Sequence, residues 1–287
     1  MQMKPTGMQE LLLTFMWGFV LVLPGSGAMP QDYWIISLLT FAILILMSIE
    51  RKFGWFETAA ALLVSFSLCV PAGSGAAWMA VPWLLIRSWL AIRAMRQLTN
   101  LCLTCSRVFP AIGAMWLVAH RANWTPWNFD PLIVLLTAAH FHHAGFTLPL
   151  MAGWNAQMKP NRLTKSSCIA ILAGVPLVAA GITCTHFGVL RFVEPFGVTV
   201  LVLGAVGVAV SQIQRGLEKE RRGLTRAEFI ISGAALLVAM LLALGFGLRS
   251  VFPNLALTMP QMWMMHGTLN AFGFGLCGIL AWRGASR

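Results

Sequence analysis

The chain has 287 residues, 58% of them hydrophobic and 10% charged, with a mean hydropathy of +0.77, whereas soluble domains carry roughly a quarter charged residues. No soluble fold can hide that much apolar surface. The formal charge of +11 does not mark a nucleic-acid face either, because the basic residues sit in small groups between apolar stretches, as membrane insertion places them.

Taken in chain order, apolar runs separated by charge, Gly or Pro give spans at about 8–24, 33–49, 56–71, 76–94, 103–120, 130–152, 166–187, 192–213, 228–248 and 260–282. At about 20 residues per span, ten spans use nearly the whole length. The expected fold is therefore all-α: a polytopic transmembrane helix bundle of about ten spans, a single integral membrane domain over 1–287. The first segment also has signal-peptide features, with Lys4, a short apolar run from Leu11 to Leu23 and the small residues Gly25-Ser26-Gly27-Ala28. Glu10 just before the run and the nine spans after it favour a retained helix.

The connections carry a charge bias that sets orientation. One side receives Lys4, Arg51, Lys52, Arg93, Arg96, Arg107, Lys159, Arg162, Lys165, Arg215, Lys219, Arg221, Arg222, Arg226, Arg283 and Arg287. The other receives Arg121, Arg191 and Arg249, a bias of 16 to 3 with Arg87 inside a span. Cytoplasmic loops are the basic ones, so the expectation is a multi-pass protein of the bacterial inner membrane with both termini cytoplasmic. Its expected partners are the lipid bilayer and a small or lipid-soluble substrate, with no nucleic acid. The longest polar connection, 214–227, reads as a solvated turn of mixed sign.

Several residue types have packing as their first explanation. Six cysteines fall in or beside apolar segments, where a thiol acts as a small hydrophobe; Cys102 and Cys105 form a C-x-x-C with no second pair to complete a metal or redox site. Pro82, Pro110, Pro149 and Pro176 fall inside spans and can kink them. Gly267, Gly273, Gly275 and Gly278 in the last span allow close helix approach. Trp34, Trp55, Trp124, Trp127, Trp154 and Trp282 lie near span ends and read as interface anchors.

An ionisable residue inside a span is costly and marks a candidate site. The sixth span carries T-A-A-H-F-H-H-A-G-F-T-L-P-L-M-A-G, which puts His140, His142 and His143 roughly 15–20 Å from its outer end, near mid-bilayer. Helical spacing sets His140 and His143 about 60° apart and turns His142 about 100° from His143. The tenth span supplies H-G-T-L-N-A-F-G-F-G, with His266 and Asn270 on one face at i,i+4. These five residues form the candidate polar site, and His140, His142 and His266 are candidate ligands for a transition metal or haem, since histidine-only ligation suits zinc, copper or haem. His120 and His186 read as interfacial. Arg87, in W-L-L-I-R-S-W-L, and Glu57 at the start of the third span form a candidate structural charge pair, with snorkelling as the alternative for Arg87.

At the two histidine segments, T-A-A-H-F-H-H-A-G-F-T-L-P-L-M-A-G at 137–153 and H-G-T-L-N-A-F-G-F-G-L-C-G-I-L-A-W at 266–282, the chain resembles the YndJ-like family of bacterial membrane proteins. The resemblance implies a multi-spanning membrane protein, in a family sometimes labelled as transporters, with His140, His142, Gly145, His266 and Asn270 as the family-like positions. Three functions follow as alternatives: a metal- or haem-dependent membrane protein with Asn270 orienting a ligand, a small-molecule or proton-coupled transporter using the same histidines, or a non-catalytic membrane subunit whose histidines join helices. Whether the chain is an enzyme is left open.

Overall fold

The computed structural model describes residues 7–22, 42–98, 100–221 and 223–285, without the side chains of 20–22 and 255. The described residues are helical and contain no strand. In order they form α1 (Met8–Val22), α2 (described over 42–50), α3 (Trp55–Cys69), α4 (Ser74–Arg96), α5 (Leu101–Arg121), α6 (Pro131–Met158), α7 (Arg162–His186), α8 (Val193–Gly216) and α9 (Gly223–Gly247). The last helical rod, α10, is Met259–Ala285. Each falls on one of the ten expected spans, although most of the second span, including Trp34, lies outside the described residues. Among the described residues seven helices, α4 to α10, are long and apolar enough to cross a membrane, and α3 is a shorter apolar helix. Polarity explains the ends: Asn161 caps α7, its side chain accepting the Thr164 N–H while Thr164 reaches back to the Asn161 N–H.

The chain divides into two compact units, one of residues 1–99 with 107–146 and one of residues 100–106 with 147–287. In the first unit α3 packs on α4, and the α5–α6 turn closes on an aromatic group of Trp116, Trp127 and Phe129. Pro82 and Pro110 lie inside α4 and α5, as their sequence positions suggest.

In the second unit α7 packs along α8 and α8 along α9, while α10 lies against α9. Glycine makes these contacts close. A Cβ on Gly174 would stand 2.7 Å from the Leu201 Cα, and one on Gly197 2.7 Å from the Leu177 carbonyl carbon, so backbone meets backbone there and no larger residue fits. In α10 the expected small-residue role holds for Gly273, against Ala235, and for Gly278, against Met151 and Ser232.

Two expectations change. Trp282 is a buried core residue, 7% exposed, in edge contact with Phe229 and 5.4 Å from Trp154. It is no interface anchor, because Arg215 and the α9 face cover it. His120 is likewise buried, 6% exposed, where the sequence reading places it among the headgroups.

Candidate functional site

The first unit holds a connected set of buried polar and aromatic groups built from the ends of α2 and α3 and the middles of α4 and α6. Its charged half begins where α2 meets α3. Glu57 Oε1 accepts from Arg51 at 2.6 Å and from Arg87 at 2.7 Å. Arg51 is 39% exposed by its side chain and can share its charge with water, but Arg87 is 3% exposed. Arg87 therefore does not snorkel. Its guanidinium lies 3.8 Å from the centroid of Trp83 and 5.4 Å from that of Phe53, a stacked cation–π arrangement that a planar arginine makes readily. Its Nε has no acceptor among the described residues. Beside it Arg107 grips both oxygens of Glu50, at 2.6 and 3.0 Å. The group thus contains three guanidiniums and two carboxylates, a surplus of one positive charge.

The neutral half is His142. Its Nδ1 lies 2.8 Å from the Ala138 carbonyl, which can only accept, so Nδ1 carries the proton. Nε2 is then the acceptor for the Trp83 indole N–H at 3.0 Å. His142 and Trp83 are both fully buried, and their rings stack at 6.3 Å with 21° between planes. Gly113 on α5 closes the other side: a Cβ there would lie 2.6 Å from His142 Nδ1 and 3.0 Å from the Ala138 oxygen. Trp83 thus touches the charged half with its face and the neutral half with its edge.

Of the other two histidines of α6, His140 is turned away from this arrangement. His143 is buried, 9% exposed, and His140 lies on the exposed surface, its Nδ1 2.8 Å from the Leu136 carbonyl. Helical geometry accounts for this, since two residues in H-x-H are about 200° apart around the axis.

His266 and Asn270 belong to the second unit, so they are described there by themselves. They lie in π-helical stretches of α10, Met262–Gly267 and Leu269–Leu276, a rare winding frequent at functional sites. His266 Nδ1 donates to the Ala239 carbonyl of α9 at 2.9 Å, and Nε2 faces the Asn270 amide at 3.2 Å. Asn270 also donates to the His266 carbonyl at 2.8 Å, and Ser232 adds a second tie from α9 to the Phe274 carbonyl at 3.0 Å. Asn270 braces the His266 imidazole, where the sequence reading has it orient a ligand.

For a metal the donor set is poorly disposed. Both nitrogens of His142 and of His266 are engaged inside the protein, and among the described residues no three of His, Cys, Asp and Glu gather. What this arrangement does chemically is hold a guanidinium and an imidazole in fixed orientations within apolar helices.

A family model described as YndJ-like protein matches residues 34–274, a stretch that includes Glu57, Arg87, His142, His266 and Asn270. The chain belongs to the YndJ-like family. The match reaches well upstream of the two histidine segments that carry the resemblance in the sequence. The chain is also similar to the uncharacterized membrane protein YndJ of Bacillus subtilis (strain 168), 27% identical over 180 residues, which is 61% of this chain and 31% of that protein. It thus spans about a third of the length of this family member. No solved structure matches.

Sequence reasoning missed four residues of the first unit. Trp83 and Gly113 carry no intrinsic signal, because an indole and a glycine in a span read as packing. Glu50 and Arg107 are far apart in sequence and each reads as a loop charge. In the second unit Glu194 was missed in the same way: it is buried and takes bonds of 2.6 Å from both Arg249 and Thr185.

Proposed function

We propose that the chain is a membrane transporter for a small anion, and that Arg87 is the group the anion meets. The observation that carries this reading is the shared carboxylate: Arg87 and Arg51 both bond to one oxygen of Glu57, so the buried guanidinium is incompletely neutralised within apolar helices. Intramembrane charges of this kind mark ion or substrate paths. An anion that approached Arg87 would find a donor whose Nε has no acceptor among the described residues, flanked by the aromatic walls of Trp83 and Phe53. His142 then serves as a fixed post that holds Trp83 in place. The 16 to 3 loop bias supports a multi-pass protein of the inner membrane with both termini cytoplasmic, and in that orientation the Arg51–Glu57–Arg87 group lies toward the cytoplasmic face.

The test is flux. Purified protein reconstituted into liposomes should pass halide, nitrate, phosphate or short carboxylates faster than protein-free vesicles, and Arg87→Gln should abolish the flux that Arg87→Lys keeps in part. Equal flux in wild-type and protein-free vesicles for every anion removes the transporter reading. The engaged nitrogens of His142 and His266 would then favour the membrane-subunit reading, in which the histidines join helices.

A further inference from the structure

The second unit carries a polar crevice at the meeting of the end of α6, the start of α7 and the end of α8, apart from the Arg87 group. Asn155, Lys159, Asn161, Thr164, Arg215 and Glu218 are among its lining residues, and it is a shallow crevice open to solvent. Two of the lining residues are buried against expectation for their chemistry: Arg215 is 6% exposed and Asn155 2%. Arg215 Nε donates to Asn155 Oδ1 at 3.0 Å, and the guanidinium lies 4.5 Å from the Trp282 ring centroid. These two contacts fix the guanidinium plane, yet among the described residues no carboxylate stands within ion-pair distance of it. The one acid in the lining, Glu218, is paired with Arg221 at 3.8 Å.

Asn155 supplies the second observation. Its oxygen is used by Arg215, and its amide nitrogen has no acceptor among the described residues. A buried NH2 group without a partner costs roughly 1–3 kcal/mol, and an oxyanion is the partner that this donor and the adjacent guanidinium share. Of the remaining lining, Lys159 and the start of α7 favour an anion and Glu218 opposes it. Lys159 is exposed at the mouth, and the first turn of α7, through Asn161 and Thr164, presents the positive end of the helix dipole.

We infer that this crevice is a phosphate-binding site, in which Arg215 and the Asn155 amide hold the phosphate oxygens and Lys159 supplies screened attraction at the mouth. The phosphate is that of an anionic phospholipid headgroup or of a free phosphate. Lys159, Arg162 and Lys165 follow one another along the α6–α7 connection, and basic residues beside spanning helices attract anionic headgroups.

The experiment uses the full chain purified in detergent, with thermal unfolding and affinity read against three additions: inorganic phosphate, phosphatidylglycerol and phosphatidylcholine. A saturable rise in Tm of about 2–4 °C with phosphatidylglycerol but not with inorganic phosphate identifies a headgroup site. The same rise with both identifies a general phosphate site. In either case Arg215→Gln weakens binding about tenfold or more, Arg215→Lys weakens it less, and Lys159→Gln, a change at an exposed position, weakens it about two- to fivefold. No rise with either phosphate source, an equal rise with phosphatidylcholine, or unchanged affinity in both Lys159→Gln and Arg215→Gln overturns the assignment. Because Lys159→Gln does not touch the buried bonds, it reads the site even where Arg215→Gln lowers the yield of folded protein.

Discussion

The geometry at Glu57 makes the two partners of the buried ion pair unequal, and the inequality can be measured. Glu57→Gln removes the acceptor of both arginines. Arg51, 39% exposed, turns to water at little cost, since such exposed pairs contribute about 0–1 kcal/mol. Arg87, 3% exposed, has no such route and is left as a buried uncompensated charge, which costs about 3–5 kcal/mol. Arg87→Met is the gentler change. Glu57 keeps Arg51 at 2.6 Å, the methionine fills much of the space, and the main loss beyond the pair is the stacking on Trp83, about 0.5–2 kcal/mol. The double variant Glu57→Gln/Arg87→Met removes the stranded charge and should be hardly worse than Arg87→Met alone. The expected coupling is therefore nearly the whole loss of Glu57→Gln, about 3–4 kcal/mol, with Glu57→Gln the most damaging of the three. Equilibrium unfolding in mixed micelles, titrated with a denaturing detergent, gives the four free energies. Additive effects, or a larger loss for Arg87→Met than for Glu57→Gln, would show that Glu57 does not hold the buried charge.

At Gly113, Ala gains about 1 kcal/mol of helix propensity but places a Cβ 2.6 Å from an imidazole pinned at both nitrogens, at a cost of about 1–3 kcal/mol. Gly113→Ala should destabilise the wild type by up to about 2 kcal/mol and become neutral or stabilising in a His142→Ala background, and unfolding of the two pairs checks the change of sign. His142→Ala and His266→Ala should each lower stability by about 0.6–1.7 kcal/mol, the range for such contacts in a membrane, without altering metal or haem content per purified protein; a stoichiometric metal lost in either variant would restore the ligand reading. For orientation, a reporter active only outside the cytoplasm should be silent at the C-terminus and active when fused near 125 or 253, and the reverse pattern would overturn the loop-charge reading.

Most of the fold is legible in the sequence because apolar length is a one-dimensional property. Spans from α3 onward follow directly from runs bounded by Arg, Gly or Pro. The histidine arrangement is legible only in part. Periodicity separates His140 from His142 by about 200° and so gives them opposite faces, but it does not say which face is inward; Trp83 and Gly113, on other helices, decide that. The Arg87–Glu57 contact could be suggested from the cost of an unpaired charge in lipid, whereas the sharing of one oxygen with Arg51 depends on how the α2–α3 turn folds back. Trp282 was misread for a related reason. Its place near a chain end resembles an interface anchor, and only packing against Phe229 and Arg215 shows that it is core.

The two halves of the buried group in the first unit are joined at Trp83, and this gives the arrangement its chemical direction. The face of the indole takes the positive charge of Arg87 at 3.8 Å, while its N–H is held by His142 Nε2 at 3.0 Å. The ring cannot tilt to follow the guanidinium without breaking its bond to the imidazole, and the imidazole cannot follow because its Nδ1 is tied to the Ala138 carbonyl and Gly113 lies against it. Room to rearrange lies on the other side, where Arg51 is half-exposed. An anion that competes with Glu57 for Arg87 would displace Arg51 toward water and leave the aromatic wall in place. On the proposed reading, a rigid wall faces an exchangeable counter-ion, which is what reversible anion binding requires.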